Sequence, residues 1–284
     1  GCDKECPLQD SALCGTPTYG SCNTTSHECE CIGGYEGSAC QYFAYDSLEN
    51  FICAELAEDS TDNVTIADSE SVTCVEVDGQ YELPVTDFQY IVGLDLSTSG
   101  LASLSGLEHA SNLTTLNISG LTLTDTASLV LEEISGLTSL TSLTVSTANI
   151  TVTDELLTNI PKTVTELIMN NVSVPAGKSF SDFTVLTTLS LQSDSTFDSS
   201  ASTPFPSSLT SLNLSDTTGF TDMSKIPTDV VTLVVDGISL ANKSSLSALT
   251  ELESFSANNT GFTDADTFYI YKLENLTTLS LQSN

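Results

Sequence analysis

Nothing constrains this chain more than the stretch Leu113-Thr-Thr-Leu116-Asn-Ile118-Ser119, because it recurs. Close copies stand at Leu140–Val145, Leu186–Leu191, Leu209–Leu214 and Leu276–Leu281. Looser copies begin at Ile91, Val164, Val230 and Leu252. That makes nine, spaced 22, 27, 24, 22, 23, 21, 22 and 24 residues from start to start. An apolar frame with a period in the twenties is the signature of a solenoid: one unit cannot bury its apolar side alone, whereas stacked units can. Within a copy, the fourth and sixth positions share one face of a short strand, and the third, fifth and seventh share the other. Successive strands then stack into a parallel sheet, about 4.8 Å apart.

Nine copies of L-x-x-L-x-L in register resemble the leucine-rich repeat family, from residue 91 to residue 284. The resemblance implies an α/β solenoid with a parallel sheet on the concave face and short helices or irregular turns on the convex face. It also implies an asparagine at the ninth position, whose amide binds the backbone of the adjoining coil. Here those positions are Ser99, Leu121, Ala148, Val172, Asp194, Thr217, Ile238, Thr260 and Asn284. The asparagine ladder is nearly absent, so the turn after each strand must be held another way. Four return segments open with a Thr-Asp pair, at Asp125, Asp154, Asp222 and Asp264. Asp or Thr there reads as a helix N-cap. The alternative, an acidic metal array, needs carboxylates that converge, and successive coils keep these apart. Pro161, Pro206 and Pro227 each precede a repeat's first apolar position by three residues, fixing the chain as it enters the strand.

Ahead of the repeats, seven of nine Cys fall before residue 41, which points to a disulfide framework and an oxidising compartment. Paired C-x-x-C knuckles are missing and His is nearly so, which disfavours zinc. The run Cys29-Glu-Cys31-Ile-Gly-Gly34-Tyr35-Glu-Gly37-Ser-Ala-Cys40, preceded by Tyr19-Gly-Ser-Cys22, resembles an EGF-like module over residues 1–41. That resemblance implies the pairings Cys6–Cys22, Cys14–Cys29 and Cys31–Cys40, and crosslinks are what so short a module needs. Cys2 is left over, to pair either with sequence upstream of Gly1 or between chains. Asp3, Glu5 and Asn23 partly match calcium-binding EGF modules, but the aromatic residue is missing. No calcium, other metal or further cofactor is expected.

Residues 42–90 read as a linker and a cap for the solenoid. The spacing predicts a short amphipathic helix from Asp46 to Ala57 and strands over Val72–Val77 and Tyr81–Val85. Cys53 and Cys74 are predicted to pair around a polar, acidic loop, covering the apolar end of the first coil.

Thirty-eight acidic residues against six Lys give a net charge of −32, which repels nucleic acid and anionic lipid. No apolar run approaches the length of about eighteen residues that a membrane span needs. The chain begins at Gly1, so either a leader has been removed or the sequence starts mid-protein. Ten of fifteen Asn begin an N-x-[ST] acceptor: Asn23, Asn63, Asn112, Asn117, Asn149, Asn171, Asn213, Asn242, Asn258 and Asn275. With the Cys evidence they predict a secreted, N-glycosylated protein at the cell surface or beyond it.

Catalysis has no visible carrier. The two His are His27 and His109, and no nucleophile elbow, zincin motif or phosphate loop occurs. The outward positions of the repeats are Ser, Thr, Asn and acids, without an aromatic, Arg or His, whereas tight protein interfaces favour Trp, Tyr and Arg. Sugar at Asn117, Asn213 and Asn258 would fill that face. The ninth repeat is followed by no Cys-bearing cap, which leaves an apolar end to be covered by more of its own chain or by another copy. The sequence therefore favours a non-enzymatic structural glycoprotein that assembles head to tail into an extracellular fibre or coat. The alternative is the ectodomain of a receptor or adhesion protein that binds protein or glycan ligands.

Overall fold

The computed structural model describes residues 20–23, 28–31, 35–36, 42–43, 46–57, 63–68, 70–77, 80–121, 133–146, 154–194 and 196–284. Two small antiparallel pairs come first: β1 (Gly20–Asn23) with β2 (Glu28–Cys31), and β3 (Tyr35–Glu36) with β4 (Tyr42–Phe43). Cys22 stands opposite Cys29 in the first pair. Cys2, Cys6, Cys14 and Cys40 lie outside the described residues, as do the side chains of Cys22, Cys29 and Cys31, so the expected EGF-like pairings fall there too.

The cap follows. Helix α1 (Asp46–Ala57) has the predicted bounds and buries Leu48, Ile52 and Cys53. Cys53 is bonded to Cys74 across 21 residues. Two features depart from expectation. The supposed polar loop inside this disulfide contains a strand, β5 (Val64–Ile66), whose Val64 is buried. The expected strands are shorter, β6 (Val75–Val77) paired with β7 (Gln80–Glu82), and residues 85–90 turn into a 3-10 helix that buries Phe88.

From β8 (Ile91–Asp95) all nine predicted strands appear: β9 (Thr115–Asn117), β10 (Ser142–Thr144), β11 (Glu166–Ile168), β12 (Thr188–Ser190), β13 (Ser211–Asn213), β14 (Thr232–Val234), β15 (Ser254–Ser256) and β16 (Thr278–Ser280). They pair parallel, in order and without a register slip, so that Leu94, Leu116, Leu143, Leu167 and Leu189 form one row. Antiparallel β5 pairs with β8 and closes the sheet at ten strands.

The first, fourth and sixth positions of coils one to eight form a continuous core, for example Leu186, Leu189 and Leu191, all essentially inaccessible. On the return side, Phe180, Phe197, Phe205 and Phe220 pack ring to ring, with centroids 5.6–6.1 Å apart. Coil nine differs: Leu279 is 45% exposed, and Phe268 and Tyr271, in and just after the short helix Thr267–Ile270, are 61% and 83% exposed. No helix among the described residues is long and apolar enough to cross a membrane.

Candidate functional site

The sheet face carries three rows of outward side chains, and hydrogen bonds between coils hold it flat to solvent. Position two supplies one set. The hydroxyl of Thr114 donates to the Val92 carbonyl (2.8 Å), Thr141 to Thr114 (3.0 Å), Thr165 to Thr141 (3.1 Å), Thr187 to Thr165 (3.1 Å), Thr210 to Thr187 (3.2 Å) and Thr277 to Glu253 (3.1 Å). Each such bond contributes about 1 kcal/mol net.

Position seven supplies the second set, and it does the work that the missing asparagines would do. Backbone N–H groups of Ser146, Asn170, Gln192, Asn258 and Gln282 donate to the side chain at position seven of the coil before: Ser119, Ser146, Asn170, Asp236 and Asn258. Where that link is not made, position five folds back instead. Asp95, Asn117 and Asn213 accept from the N–H two residues on, at 2.9–3.0 Å.

Position eight turns the chain. Gly120, Asn171, Ser193, Asp216, Gly237, Asn259 and Ser283 all have φ between 54° and 75°. Their left-handed backbone aims the N–H at the next coil, as from Asn171 to the Gln192 carbonyl (2.7 Å). Gly, Asn and Asp tolerate that conformation best. At Gly237 a Cβ would also lie 2.2 Å from Asp216 Oδ1, so a side chain there requires the Asp216 carboxylate to move. Position nine either packs into the core or bonds to backbone, and at the last coil, Asn284, it is exposed. Leu121, Val172 and Ile238 are core, while Asp194 accepts from Val174 N–H, and Asn284 accepts from Thr260 and Phe262 N–H. These signals were present in the sequence as the Leu-Thr pairs and the Gly/Asn/Asp/Ser at position eight.

Helix capping on the return segments is as expected at Asp222, which caps Met223–Lys225 by accepting from Ser224 N–H, while Asp154 is the first residue of its helix, Asp154–Asn159. At the last pair the cap is Thr263, reciprocated by Asp266, with Asp264 inside the turn. Asp125 lies outside the described residues. Among the described residues no three His, Cys, Asp or Glu are placed to share a metal ion. His109 packs edge-on against Phe88, and burial pushes its imidazole down while Glu108 beside it raises it, with burial ahead. His27 lies outside the described residues.

Charge is sorted by face. Lys162, Lys178, Lys225, Lys243 and Lys272 all sit on return segments, where Lys178 meets Asp154 (2.6 Å), Lys243 meets Asp266 (3.4 Å) and Lys162 lies over the Phe183 ring. The sheet face holds Asp95, Glu166 and Asp236, and no cation among the described residues.

The acceptor asparagines divide in the same way. Asn112, Asn171, Asn242 and Asn275 are exposed. Asn63 Nδ2 donates to Glu55, and Asn117 Nδ2 to Asp95 (3.0 Å). Half-buried Asn213 accepts from Ser215. Asn258 Nδ2 donates to both Asp236 Oδ2 and Ser256. Asn149 and the side chain of Asn23 lie outside the described residues.

No protein-family model matches the sequence, and no curated protein is detectably similar to it. Solved structures are similar in shape. Internalin C2 of Listeria monocytogenes superposes over 73% of this chain and 88% of its own, with a TM-score of 0.60 at 17% identity. The Arabidopsis receptor kinase HAESA, solved with the peptide hormone IDA and the co-receptor SERK1, covers 84% of this chain and 40% of its own, with a TM-score of 0.54 at 17% identity. This chain is a leucine-rich repeat solenoid. At such identity the likeness speaks to the fold, in which the ladders described above stand in for the repeat's usual asparagine.

Proposed function

We propose that this solenoid is a secreted, N-glycosylated, non-enzymatic recognition protein, of the adhesion or receptor-ectodomain kind, whose sheet face meets a basic protein partner. The carrying observation is the ten-strand polar face with three carboxylates and, among the described residues, no cation opposing them. Long-range attraction of a basic surface to such a face speeds encounter and selects partners. HAESA, of similar fold, was solved with a peptide hormone and a co-receptor, which supports a binding role here. Sugar belongs at the exposed acceptors, with Asn171 foremost, since the amides of Asn112, Asn242 and Asn275 each already donate one bond. At Asn258 both amide hydrogens are already bonded, and at Asn117 one is held by Asp95, which weighs against sugar at those two sheet positions. An EGF-like module ahead of the cap completes the reading.

The test is a binding screen of the full chain against purified ectodomains and secreted proteins of its source. Arg at Ser211 or Ser254, on the sheet, should abolish the partner's binding, and Arg at Ser244, on a return segment, should leave it intact. A partner indifferent to both sheet variants removes the proposal.

Head-to-tail assembly into a fibre is the second reading, supported by coils that stack in one unbroken register, a geometry that can go on repeating from chain to chain. Concentration-dependent polymers in sedimentation velocity would favour it; a monomer throughout would remove it.

A further inference from the structure

Across the sheet, position three carries a side chain in every coil but the first, where it is Gly93. Gly93 is flanked in register by Thr65 of β5 and Thr115 of β9. A Cβ there would lie 2.9 Å from Thr115 Oγ1 and 3.1 Å from Thr65, so a side chain would have to displace the two threonines, which converge over bare backbone. Beside them opens a cleft of about 200 Å³, whose far wall is Asp95, two residues along the same strand and on the same face.

That volume is below the roughly 300–1,000 Å³ of a small-molecule pocket, and suits one long side chain. Its lining is Thr, Ser and Asn side chains with Gly93, Leu94 and Leu116 and one carboxylate, and it has no aromatic ring on which a sugar could stack. The carboxylate is fixed in its plane: Oδ1 accepts from Ser97 N–H (2.9 Å) and Oδ2 from Asn117 Nδ2 (3.0 Å). Burial raises the Asp95 pKa, but the bonds from Ser97 and Asn117 outweigh it, so the group is held below the ordinary carboxylate value and stays charged. No described cation pairs with it.

We infer that the cleft between Gly93 and Asp95 is a subsite for one arginine side chain of a protein partner. A guanidinium offers five N–H donors in one plane, more than a single carboxylate can accept, and Thr115, Ser142 and Thr144 supply further acceptor oxygens around it. A lysine ammonium satisfies the charge and leaves most of those acceptors unmet. The subsite rests on the sheet face being the recognition face, and it names which feature of the partner that face reads.

The probe is N-acetyl-arginine methylamide, titrated into the full chain while amide chemical shifts are followed. Saturable shifts are expected at Gly93–Ser97 and Thr115–Asn117, with the lysine analogue at least several-fold weaker. Asp95→Asn and Thr144→Lys should each weaken binding tenfold or more, while Asp229→Asn, at an exposed return turn, changes nothing. Each variant raises the net charge by one, so equal weakening by all three means diffuse attraction and overturns the subsite. Non-saturating shifts overturn it as well, as does equal affinity for N-acetylglucosamine. Should Asp95→Asn disturb the fold, seen as a lowered melting temperature, Thr144→Lys decides alone. A probe that fails at this cleft while the sheet-face arginine variants still lose their partner sinks the subsite and leaves the wider reading standing.

Discussion

At Asp222 a single carboxylate oxygen takes three donors: Ser224 N–H at 3.0 Å, the Ser224 hydroxyl at 2.7 Å and Asn242 Nδ2 at 2.7 Å, the last from the next coil. The Asn242 and Ser224 bonds hold its pKa below the ordinary Asp value, with burial opposing them. A carboxyl lowered in the folded state stabilises above its unfolded pKa of about 3.9, and that contribution is lost as pH falls through the folded value. Asp222→Ala should therefore cost about 1 kcal/mol at neutral pH, the worth of an N-cap. In thermal melts stepped downward in pH, the gap between variant and parent should close below the unfolded pKa. A gap that stays constant with pH would mean that shape rather than charge sets the cap. Other residue-scale devices were half-visible in the sequence. The Thr at position two and the Gly, Asn, Asp or Ser at position eight recur as plainly as the leucines. Their roles were hidden because a threonine hydroxyl reaching a neighbouring carbonyl, or a left-handed φ, needs the coil-to-coil register before it has meaning.

Among the elements, the nine strands and the helix from Asp46 to Ala57 were legible because each rests on local periodicity. Strand β5 was not. Val64–Ile66 is three residues long, sits in an acidic stretch, and becomes a strand only through its antiparallel pairing with β8. The same limit hid the Phe180–Phe197–Phe220 contacts, which join residues from three coils. The Cys53–Cys74 bond ties α1 to the residue just before β6, enclosing a loop that contains β5 and for which crosslinking contributes about 3 kcal/mol in the chain-entropy account. Reducing it should loosen the cap before the solenoid. In hydrogen exchange under reducing conditions, amides of Val64–Ile66 should lose protection while those of β11 to β14 keep theirs. Uniform loss along the sheet would show instead that cap and coils unfold as one unit.

For the molecule as a whole, the opposing term that salt can tune is charge. Thirty-eight acids against six Lys repel one another across coils whose strands lie about 4.8 Å apart. The Debye length is about 30 Å at 0.01 M salt and about 3 Å at 1 M, so at low salt each carboxylate feels several coils and at high salt hardly the next one. The two Lys–Asp contacts on the return segments pull the other way, since screening weakens them too. Exposed pairs are worth at most about 1 kcal/mol each, and two of them cannot offset an excess of thirty-two negative charges. The melting temperature should thus rise with sodium chloride over that range, by several degrees if the gain is about 2 kcal/mol. The steepest part should fall below about 0.1 M, where the screening length shrinks to the span of two coils. A melting temperature that falls with salt would mean the sparse lysines are placed well enough to outweigh the repulsion. A rise would instead mark the acidic sheet face as a cost to stability, one that the proposed basic partner would offset.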